Sequence, residues 1–175
     1  LAHMPPVQDY KRLNENDTGP NTGGMGSITD NNGSLPFLTV NNIREAQTVN
    51  ELIVKHIFRE QFLRNDKCKG YKGVLYGSFM KTKTGLKVIE YNVRFGDPEC
   101  INVLGLLKTD LVSVCQDMIN GTLTSSVEFE KKASVCRYVV PKGYPLDPKR
   151  GYEVFTDDIV PVSYTHLRAH ETAFY

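Results

Sequence analysis

The sequence has little net charge and no long apolar run, and each lack excludes a class of protein. Its 175 residues include 21 basic and 20 acidic side chains, for a formal net charge of +1. With no basic cluster either, bulk nucleic-acid binding is not expected. No apolar run reaches the length of a membrane span, and no signal peptide is visible. We therefore expect a globular, cytoplasmic protein with neither a nucleic-acid nor a membrane partner.

The cysteines lack the spacing of a zinc site or a disulfide framework. No CxxC motif occurs among the four, which are Cys68, Cys100, Cys115 and Cys136. Such cysteines are expected to be free, mostly buried thiols in a reducing compartment.

One stretch has the pattern of a half-buried strand. From Ile89 to Phe95, apolar and polar residues alternate without a break. Glu90, Asn92 and Arg94 would then share one face, about 7 Å apart at successive positions. Carboxylate and amide oxygens suit Mg²⁺, and an arginine beyond them can stabilise developing negative charge. An amphipathic strand with a solvated outer face explains the same alternation.

The residues after this stretch predict the start of a helix. Gly96 permits a sharp turn, and Asp97 can cap the helix. Pro98 and Glu99 suit its first turn, and the helix is expected to run through Leu107. A helix N-terminus beside the three polar side chains would attract phosphate.

Residues 19–26 contain four glycines, together with Pro20. This composition predicts a loop rather than a helix or a central strand. Glycines let backbone N–H groups converge on a ligand. The segment is not a P-loop, because no Gly-Lys-Ser/Thr follows, and Thr29 occupies the third glycine position of the dinucleotide fingerprint. A wide turn without a ligand remains the simpler interpretation of the composition alone.

The remaining elements follow from periodicity and from turn residues. A packing helix is expected from Asn42, capped by Asn42 with Glu45, to Phe62. A hairpin of 73–81 and 86–94 should follow, then a helix from the cap Asp110 to Gly121 and a strand over 133–140.

Three segments resemble the glycinamide ribonucleotide synthetase family, also called phosphoribosylamine–glycine ligases, which are ATP-grasp enzymes of purine synthesis. They are Gln-Asp-x-Lys-Arg at 8–12, Asp-Thr-Gly-Pro-Asn-Thr-Gly-Gly-Met-Gly at 17–26 and Glu-Tyr-Asn-Val-Arg-Phe-Gly-Asp-Pro-Glu at 90–99. Ile101 departs from the glutamine or methionine usual in the family, which should affect packing only. The resemblance implies an α+β fold: the C-terminal half of an ATP-grasp core, with an antiparallel sheet and packing helices, plus the first part of a small C-terminal domain.

The resemblance also implies a reaction and a set of site residues. The family ligates glycine to 5-phosphoribosylamine with ATP, through a glycyl phosphate, and gives glycinamide ribonucleotide. Glu90 and Asn92 would hold Mg²⁺ (or Mn²⁺), and Arg94 would be the catalytic residue. The implied substrate-binding residues are Asp9, Lys11, Asn21, Thr22, Gly23, Gly24 and Asp97. The implied partners are glycine, phosphoribosylamine and ATP, and the expected state is a monomer.

Two other interpretations remain open. Glu-x-Asn-x-Arg recurs across ATP-grasp proteins, so the chain could belong to another carboxylate–amine ligase or carboxylase of that superfamily; the residues at 17–26 argue against it. Alternatively, the chain is a catalytically silent fragment, at most a binding module for a phosphorylated sugar.

The chain is expected to consist of three segments and to be cut at both ends. They are the ATP-grasp core at 1–130, the start of a C-terminal domain at 131–161 and a non-native tail at 162–175. Residues 162–172 resemble one reading frame of a transposase adapter used to prepare sequencing libraries, so the tail is left out of the fold. Its His166 and His170 do not form the His-Glu-x-x-His pattern of zinc enzymes.

Overall fold

The computed structural model describes residues 1–64, 70–124, 127–151 and 153, which fold as two compact units. The predicted tail at 162–175 and Cys68 lie outside the described residues. Among the helices described, none is both long enough and apolar enough to cross a bilayer. The mixture of helices with antiparallel strands confirms the α+β class. The domain boundary expected at residue 130 stays a prediction.

The first unit, here called the sheet unit, contains Val7–Leu35, Asp97–Leu106 and the described residues from Lys131 on. Its sheet has the order β1-β2-β5, and both pairs are antiparallel. The strands are β1 (Gln8–Asn14), β2 (Thr18–Thr29) and β5 (Ser134–Arg137), and helix α2 (Glu99–Gly105) contacts both β2 and β5. The expected helix and final strand are therefore present but shorter than predicted.

The glycine-rich segment is part of the central strand of this sheet, so the prediction of a loop was wrong. Tyr10 pairs with Gly26 and Arg12 pairs with Asn21, so β2 has four residues where β1 has one. Such a bulge is where a strand accepts glycines. Gly26 also lets β5 approach, because a Cβ there would lie 2.4 Å from the carbonyl oxygen of Cys136.

The second unit, here called the hairpin unit, contains Leu1–Pro6, Pro36–Gly96 and Leu107–Glu130. Its two-stranded antiparallel sheet consists of β3 (Tyr76–Thr82) and β4 (Gly85–Asn92), which confirms the predicted hairpin. Two helices accompany it: α1 (Val40–Arg64), at the position of the predicted packing helix, and α3 (Leu111–Asn120).

Strand β4 ends earlier than the alternation predicts. Ser78 pairs with Glu90 but Phe79 pairs with Val88, so Ile89 has no partner across the hairpin and forms a bulge. The bulge interrupts the two-residue period. Ile89 and Val93, which were expected to face a core, are 56% and 73% exposed. The prediction that residues 89–95 form one regular strand was therefore wrong.

The N-terminal cap of α1 differs from the sequence prediction, whereas that of α3 agrees with it. The cap of α1 is a reciprocal pair in which Thr39 Oγ1 accepts from the N–H of Asn42, while Asn42 Oδ1 accepts from the N–H of Thr39. The prediction of Asn42 with Glu45 was wrong, because the helix begins two residues earlier. Asp110 caps α3 as predicted, accepting from Ser113 N at 2.7 Å, and Gly121 ends the helix with φ of +76°.

The three described cysteines are free thiols, as predicted. Cys100, Cys115 and Cys136 are half-buried rather than fully buried. The buried residues of the sheet unit instead include Ser27, Thr29, Pro98, Glu99 and Asn102, together with Leu35, Val103 and Leu106. This core is unusually polar, so its hydrogen bonds matter for the site described next.

Candidate functional site

Lysine 11 joins the two arms of the β1–β2 hairpin. Its ammonium group lies 2.8 Å from Asp9 Oδ2 and donates to the carbonyl oxygen of Gly23 at 3.1 Å. Thr22 Oγ1 donates back to the carbonyl oxygen of Lys11 at 2.9 Å and accepts from the N–H of Gly24 at 3.1 Å. Five predicted site residues therefore lie together, and we call Asp9, Lys11, Thr22, Gly23 and Gly24 the glycine-strand site.

Asparagine 21 lies at the edge of this site. It pairs with Arg12 across the hairpin and is exposed. The guanidinium of Arg12 donates to the carbonyl oxygen of Gly19 at 2.7 Å, which holds the glycine-rich end of β2 against β1. Lys11 thus ties the four-residue bulge to β1, and Arg12 ties the residues that precede the bulge.

At Gly24, strand β2 lies close to both β1 and the turn before α2. A Cβ at Gly24 would lie 2.8 Å from Pro98 Cδ, 3.4 Å from the carbonyl oxygen of Asp97 and 3.5 Å from Asp9 Oδ1. Its φ of +146° is also one that side chains rarely adopt. The residue is required by packing, whether or not it touches a substrate.

The Asp9 carboxyl has an unusual environment for a charged group. It is largely withdrawn from solvent, and burial raises its pKa. The hydrogen bond from Lys11 opposes this rise, while the nearby carboxylate of Glu99, itself buried, adds to it. Lys11 therefore stabilises the negative charge of Asp9 inside the sheet unit.

Asp97 does not cap α2 as the sequence predicted. The helix begins at Glu99 with Pro98 at the capping position, and no side chain makes a capping bond there. Asp97 is exposed and instead accepts a hydrogen bond from the hydroxyl of Tyr138. Pro98 is fully buried beside Gly24.

Asn102 was not predicted to matter, and it holds the sheet unit together. It is fully buried, accepts from the hydroxyl of Ser27, and donates to the carbonyl oxygens of Ser134 at 2.9 Å and of Ser27 at 3.3 Å. A polar residue on the inner face of a short helix was the sequence signal that could have revealed it.

Glu90 and Asn92 lie side by side on β4, as predicted. Asn92 Nδ2 donates to Glu90 Oε1 at 3.0 Å, so both side chains are on the same face of the strand. Within the described residues, no group of three His, Cys, Asp or Glu side chains could hold a metal ion. Mg²⁺ usually takes one or two protein oxygens and completes its shell with water and phosphate, so this oxygen pair fits it.

Arg94 lies beyond the end of β4, so its placement on the strand was wrong. Residues 93 and 94 form a bend, and the guanidinium donates to the carbonyl oxygen of Phe95 at 2.8 Å. The group is exposed, and that one backbone bond leaves most of its five N–H donors available.

The inner side of β4 is fixed by an aromatic contact and a hydrogen bond. Tyr91 stands edge-on to Phe79, with ring centroids 6.1 Å apart, and its hydroxyl donates to Asn50 Oδ1 of α1 at 2.8 Å. Gly77 makes room for this arrangement, because a Cβ there would lie 2.8 Å from the Tyr91 ring. The residue between Glu90 and Asn92 therefore anchors the pair.

Residues 1–100 match the family model described as phosphoribosylglycinamide synthetase, ATP-grasp (A) domain. Among curated proteins, the chain is similar to the phosphoribosylamine–glycine ligase of Methanocella arvoryzae, with 52% identity over 85% of this chain and 33% of the relative. It is 48% identical to the enzyme of the same name from Methanococcoides burtonii, over 91% of this chain and 35% of the relative.

The fold is also similar to a solved structure. The crystal structure of phosphoribosylamine–glycine ligase from Thermotoga maritima superposes with a TM-score of 0.69 at 30% identity, over 86% of this chain and 35% of that one. The chain therefore spans about a third of the length of the relatives it matches.

Proposed function

Because the chain belongs to the phosphoribosylglycinamide synthetase family of ATP-grasp ligases, we propose that the protein containing it ligates glycine to 5-phosphoribosylamine with ATP. The product would be glycinamide ribonucleotide, made in purine biosynthesis. The observation that carries the proposal is the glycine-strand site. Its residues belong to two of the segments that resemble the family, and they converge through Lys11 in one unit.

The reaction has two steps, a phosphoryl transfer to glycine and an acyl transfer to phosphoribosylamine. A carboxylate oxygen of glycine attacks the γ-phosphorus of ATP, the bond to the leaving ADP breaks, and glycyl phosphate forms. The nitrogen of phosphoribosylamine then attacks the acyl carbon, inorganic phosphate leaves, and the nitrogen loses a proton. Phosphoryl transfer of this kind depends mainly on positioning and on neutralising charge.

Glu90 and Asn92 would hold Mg²⁺ or Mn²⁺, whose charge would neutralise the ATP phosphates when it is bound. The hydrogen bond from Asn92 to Glu90 already keeps the two side chains together on one face. Arg94 would stabilise the oxyanion or the transferring phosphoryl group, because a guanidinium donates to two oxygens at once.

The glycine-strand site, with Asn21 and Asp97, would bind phosphoribosylamine. The Lys11 side chain is about half exposed, and its ammonium group donates to the carbonyl oxygen of Gly23. Asp97 is exposed and carries oxygens that accept from amine or hydroxyl groups. The positive charge of Lys11 suits the negative charge of the phosphate, and the Asp97 carboxylate suits the donors of the aminoribose.

The test is an assay of ADP formation by a full-length ligase that carries this segment, with each substrate omitted in turn. ADP and glycinamide ribonucleotide should form together, and only when glycine, phosphoribosylamine and ATP are all present. Product formation with a different acid or amine would instead favour another ATP-grasp ligase. The 175-residue chain by itself is expected to form no product, and a full-length protein that also formed none would support the binding-module interpretation.

A further inference from the structure

The hydroxyl of Tyr138 is placed by the backbone of the sheet. Tyr138 follows β5 directly, and its N–H donates to the carbonyl oxygen of Met25 at 3.0 Å, which extends the pairing of β5 with β2 by one residue. Met25 in turn follows Gly24 of the glycine-strand site. The Tyr138 side chain therefore starts from a fixed point beside that site.

The hydroxyl reaches the carboxylate of Asp97 and donates to Oδ1. This bond, together with partial burial and the charge of Asp97, raises the pKa of Tyr138 to about 12. The phenol therefore keeps its proton, and remains a donor, throughout the neutral range.

The Asp97 carboxylate does not cap α2, which is the structural role that its position in the sequence predicts. The first turn of α2 has no side-chain capping bond, and Asp97 is exposed. Its carbonyl oxygen lies beside Gly24, 3.4 Å from where a Cβ would be. An exposed carboxylate can change rotamer, and a charge-assisted hydrogen bond is a strong means of holding it in one orientation.

We propose that Tyr138 is a positioning residue that orients the Asp97 carboxylate toward the amine and ribose hydroxyls of phosphoribosylamine. This inference rests on the proposed function, and it adds a residue that none of the sequence motifs includes. The phenol itself does not touch the substrate; it acts through Asp97, whose second oxygen and remaining lone pairs are left to accept from the ligand.

The experiment compares Tyr138→Phe with wild type in a full-length ligase carrying this segment. The KM for phosphoribosylamine should rise by about 10-fold, the effect of losing one charge-assisted hydrogen bond in a binding site. The KM values for glycine and ATP should stay within about twofold, because neither substrate is bound by Asp97.

A double-mutant cycle with Asp97→Ala tests whether Tyr138 acts through Asp97. Adding Tyr138→Phe to Asp97→Ala should cause no further rise in KM, since the oriented carboxylate is already gone. Tyr71→Phe is the matched control: it removes a hydroxyl that donates to the carbonyl oxygen of Val74 in the hairpin unit and should leave all three KM values unchanged. Independent effects of Tyr138→Phe and Asp97→Ala would overturn the inference.

A titration with glycinamide ribonucleotide separates this inference from the proposed function. If wild type forms no product but binds this ribonucleotide about 10-fold more tightly than Tyr138→Phe does, the proposed reaction is wrong and the positioning role stands. If wild type is active and Tyr138→Phe binds it equally well, the positioning role is wrong. Failure of wild type to bind would overturn both.

Discussion

Asn102 Nδ2 lies 2.9 Å from the carbonyl oxygen of Ser134, and this hydrogen bond joins α2 to β5. The same amide bonds Ser27 in β2, so one fully buried side chain connects a helix to two strands from distant parts of the chain. Since α2 begins directly after Asp97 and Pro98, this connection also sets where the turn beside Gly24 lies.

Replacing Asn102 with alanine should therefore destabilise the protein strongly. The hydroxyl of Ser27 would lose its partner in a buried place, and the carbonyl oxygen of Ser134 would lose one in a half-buried place. The cost should be about 2–4 kcal/mol in the free energy of unfolding. Thermal unfolding of a full-length ligase with Asn102→Ala measures the loss. Asn120→Ala, at the exposed end of α3, is the control and should change stability little. Equal effects would mean that the buried network contributes nothing.

The sequence predicted elements better than it predicted their irregularities. The alternation around Glu90 and Asn92 correctly placed both side chains on one face, because a two-residue period holds over that short distance. The alternation gave the wrong placement for Ile89 and Arg94. A bulge depends on how the partner strand pairs, and the periodicity of one strand carries no information about its partner.

The glycine-rich segment is a second case in which local sequence did not predict the structure. Glycine and proline composition favours a loop, and the segment is nevertheless part of a strand because β2 pairs with β1 on one side and with β5 on the other. Lys11 and Arg12 add hydrogen bonds to its carbonyl oxygens. The contacts of Asn102 and Tyr138 were unpredictable for a related reason. Each joins residues far apart in sequence, and neither residue type has a spacing rule that specifies its partner.

Alanine substitutions at two glycines of the sheet unit should have different effects on stability. Gly24→Ala should destabilise by about 1–3 kcal/mol, because its φ of +146° is unfavourable and a Cβ would meet Pro98 at 2.8 Å. Gly105→Ala, at the end of α2 with nothing within 4 Å of the new Cβ, should be neutral or stabilising by up to about 1 kcal/mol. Thermal unfolding of both variants measures this contrast, which would fail if Gly24→Ala were tolerated as well as Gly105→Ala.

Raising the pH should abolish the stabilisation from Tyr138. The folded-state pKa of about 12 exceeds the ordinary value of 10, so above pH 10 the unfolded chain loses the phenolic proton first. The folded state then binds more protons, and stability falls as pH rises. The melting-temperature difference between wild type and Tyr138→Phe should therefore be full below pH 10 and shrink toward pH 12. A constant difference over that range would show that the hydrogen bond to Asp97 is absent in solution.

Glu90→Gln should weaken the dependence on the divalent cation directly. A carboxylate is a far stronger ligand for Mg²⁺ than a neutral amide. The Mg²⁺ concentration needed for half-maximal activity of a full-length ligase should therefore rise by about 10-fold or more. Glu15→Gln, an exposed carboxylate in the β1–β2 turn, is the control and should leave the Mg²⁺ titration unchanged. Superimposable titrations for wild type and Glu90→Gln would remove Glu90 from the metal site.

Arg94→Ala should lower the turnover of a full-length ligase by about 10²–10³-fold, the scale of losing one preorganised transition-state donor. Arg94→Lys should recover part of this loss, because an ammonium keeps the charge but lacks the planar fork that holds two oxygens. ATP affinity should change much less, since Glu90 and Asn92 remain.

Steady-state kinetics beside a nucleotide-binding titration separates turnover from ATP affinity in these variants. Arg59→Ala, which removes an exposed cation from α1, is the control for a general change in charge. Arg94 lies past the strand end, and its hydrogen bond to the carbonyl oxygen of Phe95 uses one of the five guanidinium donors. If Arg94→Ala retained normal turnover, that backbone bond would be the residue's whole role, and the exposed guanidinium would be a solvated end of the hairpin.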